Sequence, residues 1–404
     1  MNNQLKNQAV CFLCSILDEK TKGQRGIVYD SPAATKKVLD VCHALQSRFK
    51  NIYVLTMARG QQRGGRKSFA ATSKKISGLP VLYARFDPLP LLTYFVSAFS
   101  LIILVWRLLR QNNNRVLHLL VYNRNWLYVP CLVLARLFGA RCYLDLEDGA
   151  LVETSGWLAR IQYSLLKFTF GNLCSHGSIL VAPGLNSQVN TANNVVCYGV
   201  AQQAAHAGNL DWHNGTLRFL LGGTLMRETG VPLLMDAVRI LNSNFQTYKY
   251  SFVILITGHG PLAEELALFS QTEGKGWIEY KGRVSKAEYE DLLHSSHIGL
   301  CLKLPSCEMG ATTFPSKVIE IASQGKLVLT TKLGHVSDLF GSDAACYLED
   351  ETPQTLANAI ISIVSNRDTS RKASILGQRR VFETCGSDKV AEDIFKLFEG
   401  KLAK

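Results

Sequence analysis

Residues Ser251 to Leu262 read SFVILITGHGPL: seven residues without a charge, then Gly258-His259-Gly260-Pro261. An apolar run of that length, closed by glycine and proline, reads as a strand buried on both faces. The same rhythm continues on either side. Upstream, Leu217–Leu221 runs into Gly222-Gly223-Thr224, and a helix opens near Pro232 with Leu234, Val238 and Leu241 on one face. Downstream, a helix through Leu262–Ser270 is followed by a short strand, Trp277–Lys281. Ser285 and Glu288 then make a capping box for a helix through His294, and Ile298–Leu302 is the next strand. Pro315 starts a helix that Gly325 stops, and Leu327–Thr330 returns to the sheet. Alternating units of this kind predict a parallel sheet with helices on both faces.

The first half shows the rhythm less regularly, with strands near Val10–Ile16, Ile52–Thr56, Val81–Arg85, Val116–Val121, Cys142–Leu146 and Ile179–Val181. A chain of 404 residues suits two domains. The polar, aperiodic stretch AQQAAHAGNLDWHN marks the joint. We therefore expect an α/β protein of two Rossmann-like, doubly wound domains: residues 1–200, a linker at 201–214, and 215–404, with the last helix packing back on the N-terminal domain. Two such domains in series predict a central cleft between the carboxyl ends of their strands, where sheets of this type bind ligands.

Charge separates the halves. Residues 1–202 hold 23 Lys/Arg against 9 Asp/Glu, and the remainder holds 21 against 23. A field of that kind attracts anionic lipid or nucleic acid, or is a solvated basic face that keeps the chain soluble. No zinc-finger or RNA-recognition signature favours nucleic acid, which leaves an anionic membrane surface as the expected partner. Between Asp87 and Arg107 lie nineteen uncharged residues, Pro88–Trp106. With a helix beginning near Leu91 they reach about 24 Å, short of a hydrocarbon core of roughly 30 Å. Thr93, Ser97 and Ser100 share one face of that helix, so it reads as buried or membrane-resting rather than spanning. The cysteines sit in apolar runs; Cys11 and Cys14 form a C-x-x-C with no second pair or histidine to complete a metal set. They read as core residues in a reducing cytosol, with no metal expected.

Three segments carry chemistry. The turns Gly222-Gly223-Thr224 and Gly258-His259-Gly260-Pro261 each join a strand to a helix, where glycine lets the backbone approach a phosphate, although tight geometry alone asks for glycine too. The segment Thr312-Thr313-Phe314-Pro315-Ser316-Lys317-Val318-Ile319-Glu320 leads a loop into a helix. Its first turn is expected to offer unpaired N–H groups, Lys317 can neutralise a phosphate, and Glu320 can accept both hydroxyls of a ribose. In the first half, Asp145, Glu147 and Asp148 form an acidic knot at a strand end, suited either to orient and deprotonate a hydroxyl or to pair with the surrounding arginines. His118 and His176 read as structural.

In order, LLGGTLMRETGVPLLMDAV, ITGHGPLAEEL, YKGRVSKAEYEDLLHSSHIGLCL and TTFPSKVIEIASQGKLVLTT resemble the C-terminal domain of family-4 glycosyltransferases of the GT-B fold. The resemblance covers roughly Leu217–Leu339. YLDLEDGALVE, ILVAPGLNSQV and NNVVCYGV sit where that family has an acceptor loop, a late strand and the chain toward the linker. It implies a nucleotide-sugar donor as co-substrate, UDP- or GDP-linked, without a further cofactor, and retention of anomeric configuration assisted by the donor phosphate. Glu320 matches the second glutamate of the family's pair, on the donor ribose. Gly282-Arg283-Val284 match the turn whose backbone holds the base, and Ser316 and Lys317 lie where the diphosphate rests. Gly23 and Gly26 match the glycine loop that closes over the donor. Three positions depart: Thr312 stands where the first glutamate belongs, with Glu308 the nearest carboxylate; Gly223 replaces an arginine; and Thr229 replaces a lysine, leaving Arg227 as the nearest cation.

The expected catalytic residues are therefore Glu308 and Asp148. Gly23, Gly26, Gly222, Gly223, Thr224, Arg227, Gly258, Gly282, Arg283, Val284, Thr313, Phe314, Pro315, Ser316, Lys317 and Glu320 are the expected donor contacts. The activity expected is transfer of a sugar to a glycan or lipid-linked acceptor in surface polysaccharide, lipopolysaccharide or glycolipid synthesis, on the inner face of the cytoplasmic membrane. A non-catalytic nucleotide-sugar or glycan binder, motivated by Thr312, and a sugar-nucleotide epimerase are the alternatives.

Overall fold

A computed structural model describes residues 8–27, 31–57, 60, 67–111, 116–147, 156–202, 210–306, 314–333 and 335–401, with the backbone alone for Pro90 and Leu91. The chain divides into two compact units: Met1–Val200 with Ser387–Lys404, and Ala201–Gly386. The last helix thus belongs to the first unit rather than to a second domain running to residue 404.

Unit 1 contains strands β1 (Ala9–Cys14), β2 (Asn51–Thr56), β3 (Thr72–Ile76), β4 (Leu79–Tyr83), β5 (Leu117–Tyr122), β6 (Arg141–Leu146), β7 (Ser178–Leu180) and β8 (Asn194–Val196). Its helices are α1 (Glu19–Arg25), α2 (Pro32–Leu45), α3 (Pro90–Gln111), α4 (Val129–Leu137) and α5 (Trp157–Leu173). The eight strands lie in the order β3-β4-β2-β1-β5-β6-β7-β8. All pair in parallel except β3, which runs antiparallel to β4. β1 is buried throughout, as its unbroken apolar run requires, and the sheet reverses its winding beside it. β3 escapes a search for apolar runs because TSKKI is polar and mostly exposed at the sheet edge.

α3 runs for 22 residues, about 33 Å, because Arg107 and Arg110 continue a helix that a hydropathy boundary closes at Trp106. It is therefore long enough to cross a bilayer by length and composition, against the shorter span expected from sequence. One face is nevertheless bound to the unit: Leu101, Val105 and Leu108 are buried, Ser97 donates to the Arg85 carbonyl at 3.4 Å, and Arg85 N–H donates to Ser100 Oγ at 2.9 Å.

Unit 2 carries β9 (Leu217–Thr224), β10 (Phe252–His259), β11 (Ile278–Tyr280), β12 (Ile298–Cys301), β13 (Leu327–Thr331) and β14 (Cys346–Leu348). Its helices are α6 (Val231–Asn244), α7 (Ala263–Gln271), α8 (Lys286–His294), α9 (Lys317–Ser323), α10 (Val336–Phe340), α11 (Pro353–Ser365) and α12 (Arg367–Cys385). The sheet is wholly parallel in the order β11-β10-β9-β12-β13-β14, with its switch beside β9. α6 buries Val231, Leu234, Val238 and Leu241, a spacing of three and four, into one core with Phe219, Ile254 and Ile360. The Ser285–Glu288 capping box forms: Glu288 N–H donates to Ser285 Oγ at 3.3 Å and Ser285 N–H to the Glu288 carboxylate at 2.7 Å.

The last helix, α13 (Ser387–Glu399), returns Val390, Ile394, Leu397 and Phe398 to the core of unit 1. Phe398 stacks on His118 at 4.2 Å, and Arg141 donates to its carbonyl at 3.0 Å. His118 is a core residue whose pKa burial pushes down to about 3; its ring contacts Tyr143 Oη at 3.2 Å and Gln8 Oε1 at 2.8 Å. Cys11 and Cys14 are buried unpaired thiols, and burial raises Cys14 to about 12.

Candidate functional site

β9 borders the switch of unit 2 and pairs with β10 on its other side; their carboxyl ends match Gly222 with Thr257, Gly223 with Gly258 and Thr224 with His259. Gly223 (φ +127°) and Gly258 (φ +145°) occupy backbone conformations that side chains disfavour. A Cβ on Gly258 would collide with the Gly223 carbonyl oxygen, so bare backbone forms the floor here. The turn after β11 is tied to it. Gly258 N–H donates to the Gly282 carbonyl at 2.9 Å, and the Thr257 hydroxyl donates to the same oxygen at 2.8 Å. Gly282 takes a left-handed conformation, Arg283 is exposed and Val284 half-buried.

The start of α9 approaches the same floor. Phe314 and Pro315 are buried and Ser316 is exposed. Lys317 reaches back so far that a Cβ on Gly223 would stand 3.1 Å from its Nζ. That ammonium also lies 5.2 Å from the centre of the Tyr289 ring, on α8. The Tyr289 hydroxyl donates to Glu320 Oε2 at 3.5 Å, and its ring edge lies 2.6 Å from where Gly222 would carry a Cβ. Burial first, then the Glu320 carboxylate, push the Tyr289 phenol far above its ordinary range, so it stays a donor. Gly222, Gly223, Lys317, Tyr289 and Glu320 therefore form one constellation: a cation and a carboxylate held by one phenol over a glycine floor.

Tyr289 is the member that motif reading misses. The available signal was a lone aromatic in the polar run KAEYED, placed one turn before Leu292 and Leu293. One expectation changes. Three amides at the start of α9 are committed: Val318 N–H donates to the Pro315 carbonyl at 3.0 Å, and Ile319 and Glu320 donate to the Ser316 carbonyl at 3.1 and 3.4 Å. Tight turn bonding absorbs these donors, and Lys317 supplies the local positive charge instead. Thr229 clips the turn after β9. Its hydroxyl donates to the Thr224 carbonyl at 2.8 Å and accepts from Met226 N–H at 3.2 Å. Thr224 and Arg227 are exposed. Glu308, Thr312 and Thr313 lie outside the described residues.

In unit 1 the expected glycine loop is a helix. Gly23 lies inside α1, and Gly26 ends it in a left-handed conformation, its N–H donating to the Gly23 and Lys22 carbonyls. Asp18 caps α1 by accepting from Thr21 N–H at 2.9 Å and from the Tyr83 hydroxyl at 2.5 Å. The acidic knot pairs with a lysine of α2 rather than with arginines. Lys37 Nζ stands 3.1 Å from Asp145 Oδ1 and also bridges Glu147. Burial raises the Asp145 pKa and Lys37 opposes the rise. Asp148 lies outside the described residues. Among those described, no cluster of three or more His, Cys, Asp or Glu residues is placed to hold a metal ion.

Residues 216–366 match the family described as Glycosyl transferases group 1. Similar solved structures include HepE of Anabaena in complex with UDP, at 13% identity over 97% of this chain and 100% of that one, with a TM-score of 0.67. Sucrose-phosphate synthase of Thermosynechococcus elongatus is also 13% identical, covering 97% and 99% with a TM-score of 0.67. A glycosyltransferase of Rickettsia africae is 11% identical, covering 98% and 100% with a TM-score of 0.65. No curated protein sequence matches the chain. At such identities the likeness is one of fold, shared across both Rossmann-like units.

Proposed function

We propose that this chain is a GT-B glycosyltransferase that moves a hexose from a UDP- or GDP-linked donor to a lipid-linked glycan, a reading supported by the match of residues 216–366 to the glycosyl transferases group 1 family. The observation that carries the donor half is the Lys317–Tyr289–Glu320 constellation over the glycine ends of β9 and β10. Glu320 accepts the ribose hydroxyls, Lys317 neutralises the diphosphate, and the backbone of Gly282-Arg283-Val284 holds the base. HepE is solved with UDP and with UDP-glucose, which supports testing uridine donors first.

The lipid-linked acceptor is supported by the basic first unit and the apolar α3, and the same features support a place on the cytoplasmic face of a membrane. Glu308 acts at the sugar and Asp148 orients the acceptor hydroxyl. The donor phosphate takes the acceptor proton, so the anomeric configuration is retained and no metal or further cofactor takes part.

Purified full-length protein incubated with a donor panel and membrane extract should release nucleoside diphosphate with one donor class, and only when extract is present. Conversion of the donor into an epimeric nucleotide-sugar without extract, and without net release of nucleoside diphosphate, would point to an epimerase. No turnover with any donor, alongside retained donor binding, would favour a binding protein.

A further inference from the structure

Of the eighteen large apolar side chains exposed among the described residues, fifteen fall between Leu89 and Phe168. They are not scattered. On α3, Leu92, Phe95, Phe99 and Trp106 recur at spacings of three, four and seven, opposite the face that packs on unit 1, and Phe95 is 73% exposed. α3 is thus apolar all round yet buried on one side only, a combination that water does not favour. α5 repeats the arrangement. Trp157, Leu158, Ile161, Leu165 and Phe168 fall within about 100° of arc, and Trp157 and Phe168 are 69% and 67% exposed. The other side of α5 is fixed: Phe170 is buried, Tyr163 Oη donates to Gln188 at 3.0 Å, and Lys167 donates to the Ser187 carbonyl at 2.8 Å. α4 packs against both α3 and α5, and adds Leu137 and Phe138 at its end.

Charge names the occupant. From Pro88 to Leu144 the sequence contains six arginines and no aspartate or glutamate, and α5 adds Arg160 and Lys167 and again no acid. Arg107, Arg110, Arg136 and Arg160 are exposed beside the apolar stripes. Long cations bordering an apolar face suit the boundary between acyl chains and anionic headgroups.

We infer that α3, α4 and α5 form one membrane-docking platform that lies in the plane of an anionic bilayer, with the bound face of α3 staying on unit 1 instead of the helix crossing the membrane. The platform builds on the reading of a lipid-linked acceptor, since it would hold the enzyme where such an acceptor lies, but its test needs no donor and no turnover.

The test is co-sedimentation of full-length protein with vesicles of phosphatidylcholine and with vesicles containing phosphatidylglycerol. The expected result is binding to the anionic vesicles, a blue shift in tryptophan emission, partial release by high salt and complete release from membranes by alkaline carbonate. Ile161→Ser with Leu165→Ser, both at exposed positions, should weaken vesicle binding by about tenfold. The same variant should keep its far-ultraviolet circular dichroism and its nucleotide affinity, which separates loss of the platform from loss of the fold. Phe95→Ser with Phe99→Ser should act alike. Unchanged vesicle binding in both variants would overturn the platform. So would carbonate-resistant insertion of α3, or a stable dimer that buries this face and ignores vesicles. Failure to turn over any donor, with vesicle binding intact, would count against the transferase reading and leave the platform standing.

Discussion

The two units share a winding and differ in almost everything they show to solvent. Unit 1 carries 27 Lys/Arg against 13 Asp/Glu, and unit 2 carries 17 against 19. Unit 1 exposes fifteen large apolar side chains, unit 2 only Tyr250, Leu268 and Ile375 among its described residues. The near-neutral unit nonetheless holds the constellation suited to an anionic ligand. Net charge therefore does not locate that site. A single lysine fixed by a phenol, and backbone stripped of side chains, does so at short range. On the proposed reading, the excess charge of unit 1 acts at longer range and toward a membrane surface.

The contrast can be broken at specific places. The largest effect is expected at the glycine floor. Gly258→Ala forces a Cβ against the Gly223 carbonyl in a conformation already unfavourable to side chains, and should destabilise unit 2 by about 3 kcal/mol or more in urea unfolding. Membrane docking by unit 1 comes next, with the tenfold loss in the α5 variant described above. Tyr289 is then graded. Tyr289→Leu removes both the ring under Lys317 and the hydroxyl on Glu320, and should weaken nucleotide binding by about tenfold in calorimetry. Tyr289→Phe keeps the ring and loses only a long hydrogen bond, and should cost about twofold. Equal effects of the two would remove the cation–ring contact from the account.

Acid and alkali should act on different units, and with modest slopes. His118 is held neutral in the core of unit 1, its pKa lowered to about 3 by burial. The unfolded chain binds a proton there near pH 6.5 and the folded chain does not, so stability falls as pH drops from about 6.5 toward 3. The limit is about 1.4 kcal/mol per pH unit, and His118→Gln should flatten that slope. In unit 2, burial lowers Lys326 to about 8 while its ammonium donates to the His294 carbonyl at 2.6 Å. Above that pH the folded state gives up its proton before the unfolded state does, so stability should rise toward the ordinary lysine range. Lys326→Met should remove the rise. Intrinsic fluorescence followed across pH in both variants checks each sign.

Unit 2 was legible because β9 and β10 are eight residues long, apolar over most of their length and closed by glycine, so SFVILIT and its neighbours announce a parallel sheet, although the three-residue β14 at its edge went unread. The capping box at Ser285 was legible for the same local reason. Unit 1 was read less completely. β3 is a polar edge strand, β8 has three residues, and α3 passes through Arg107 without stopping. The apolar stripe of α5 went unread because Trp157–Phe168 has the spacing of an ordinary core helix, and only its exposure separates the two. In the constellation of unit 2, Lys317 and Glu320 stood out by motif, whereas Tyr289 depends on α8 meeting α9 across the sheet end, a contact between segments about thirty residues apart. The partner of Asp145 was likewise remote: Lys37 lies over one hundred residues away.

The most direct test of the central claim is a calorimetric titration of UDP and of GDP into the wild-type protein and Glu320→Ala. One nucleotide should bind the wild type, with the affinity lost by about thirtyfold in Glu320→Ala, as expected when charge-assisted hydrogen bonds to a ribose are removed. The Ile161→Ser, Leu165→Ser variant should bind as the wild type does. Binding of either nucleotide that is indifferent to Glu320, or binding of neither, would contradict a nucleotide-sugar site built on Lys317, Tyr289 and Glu320.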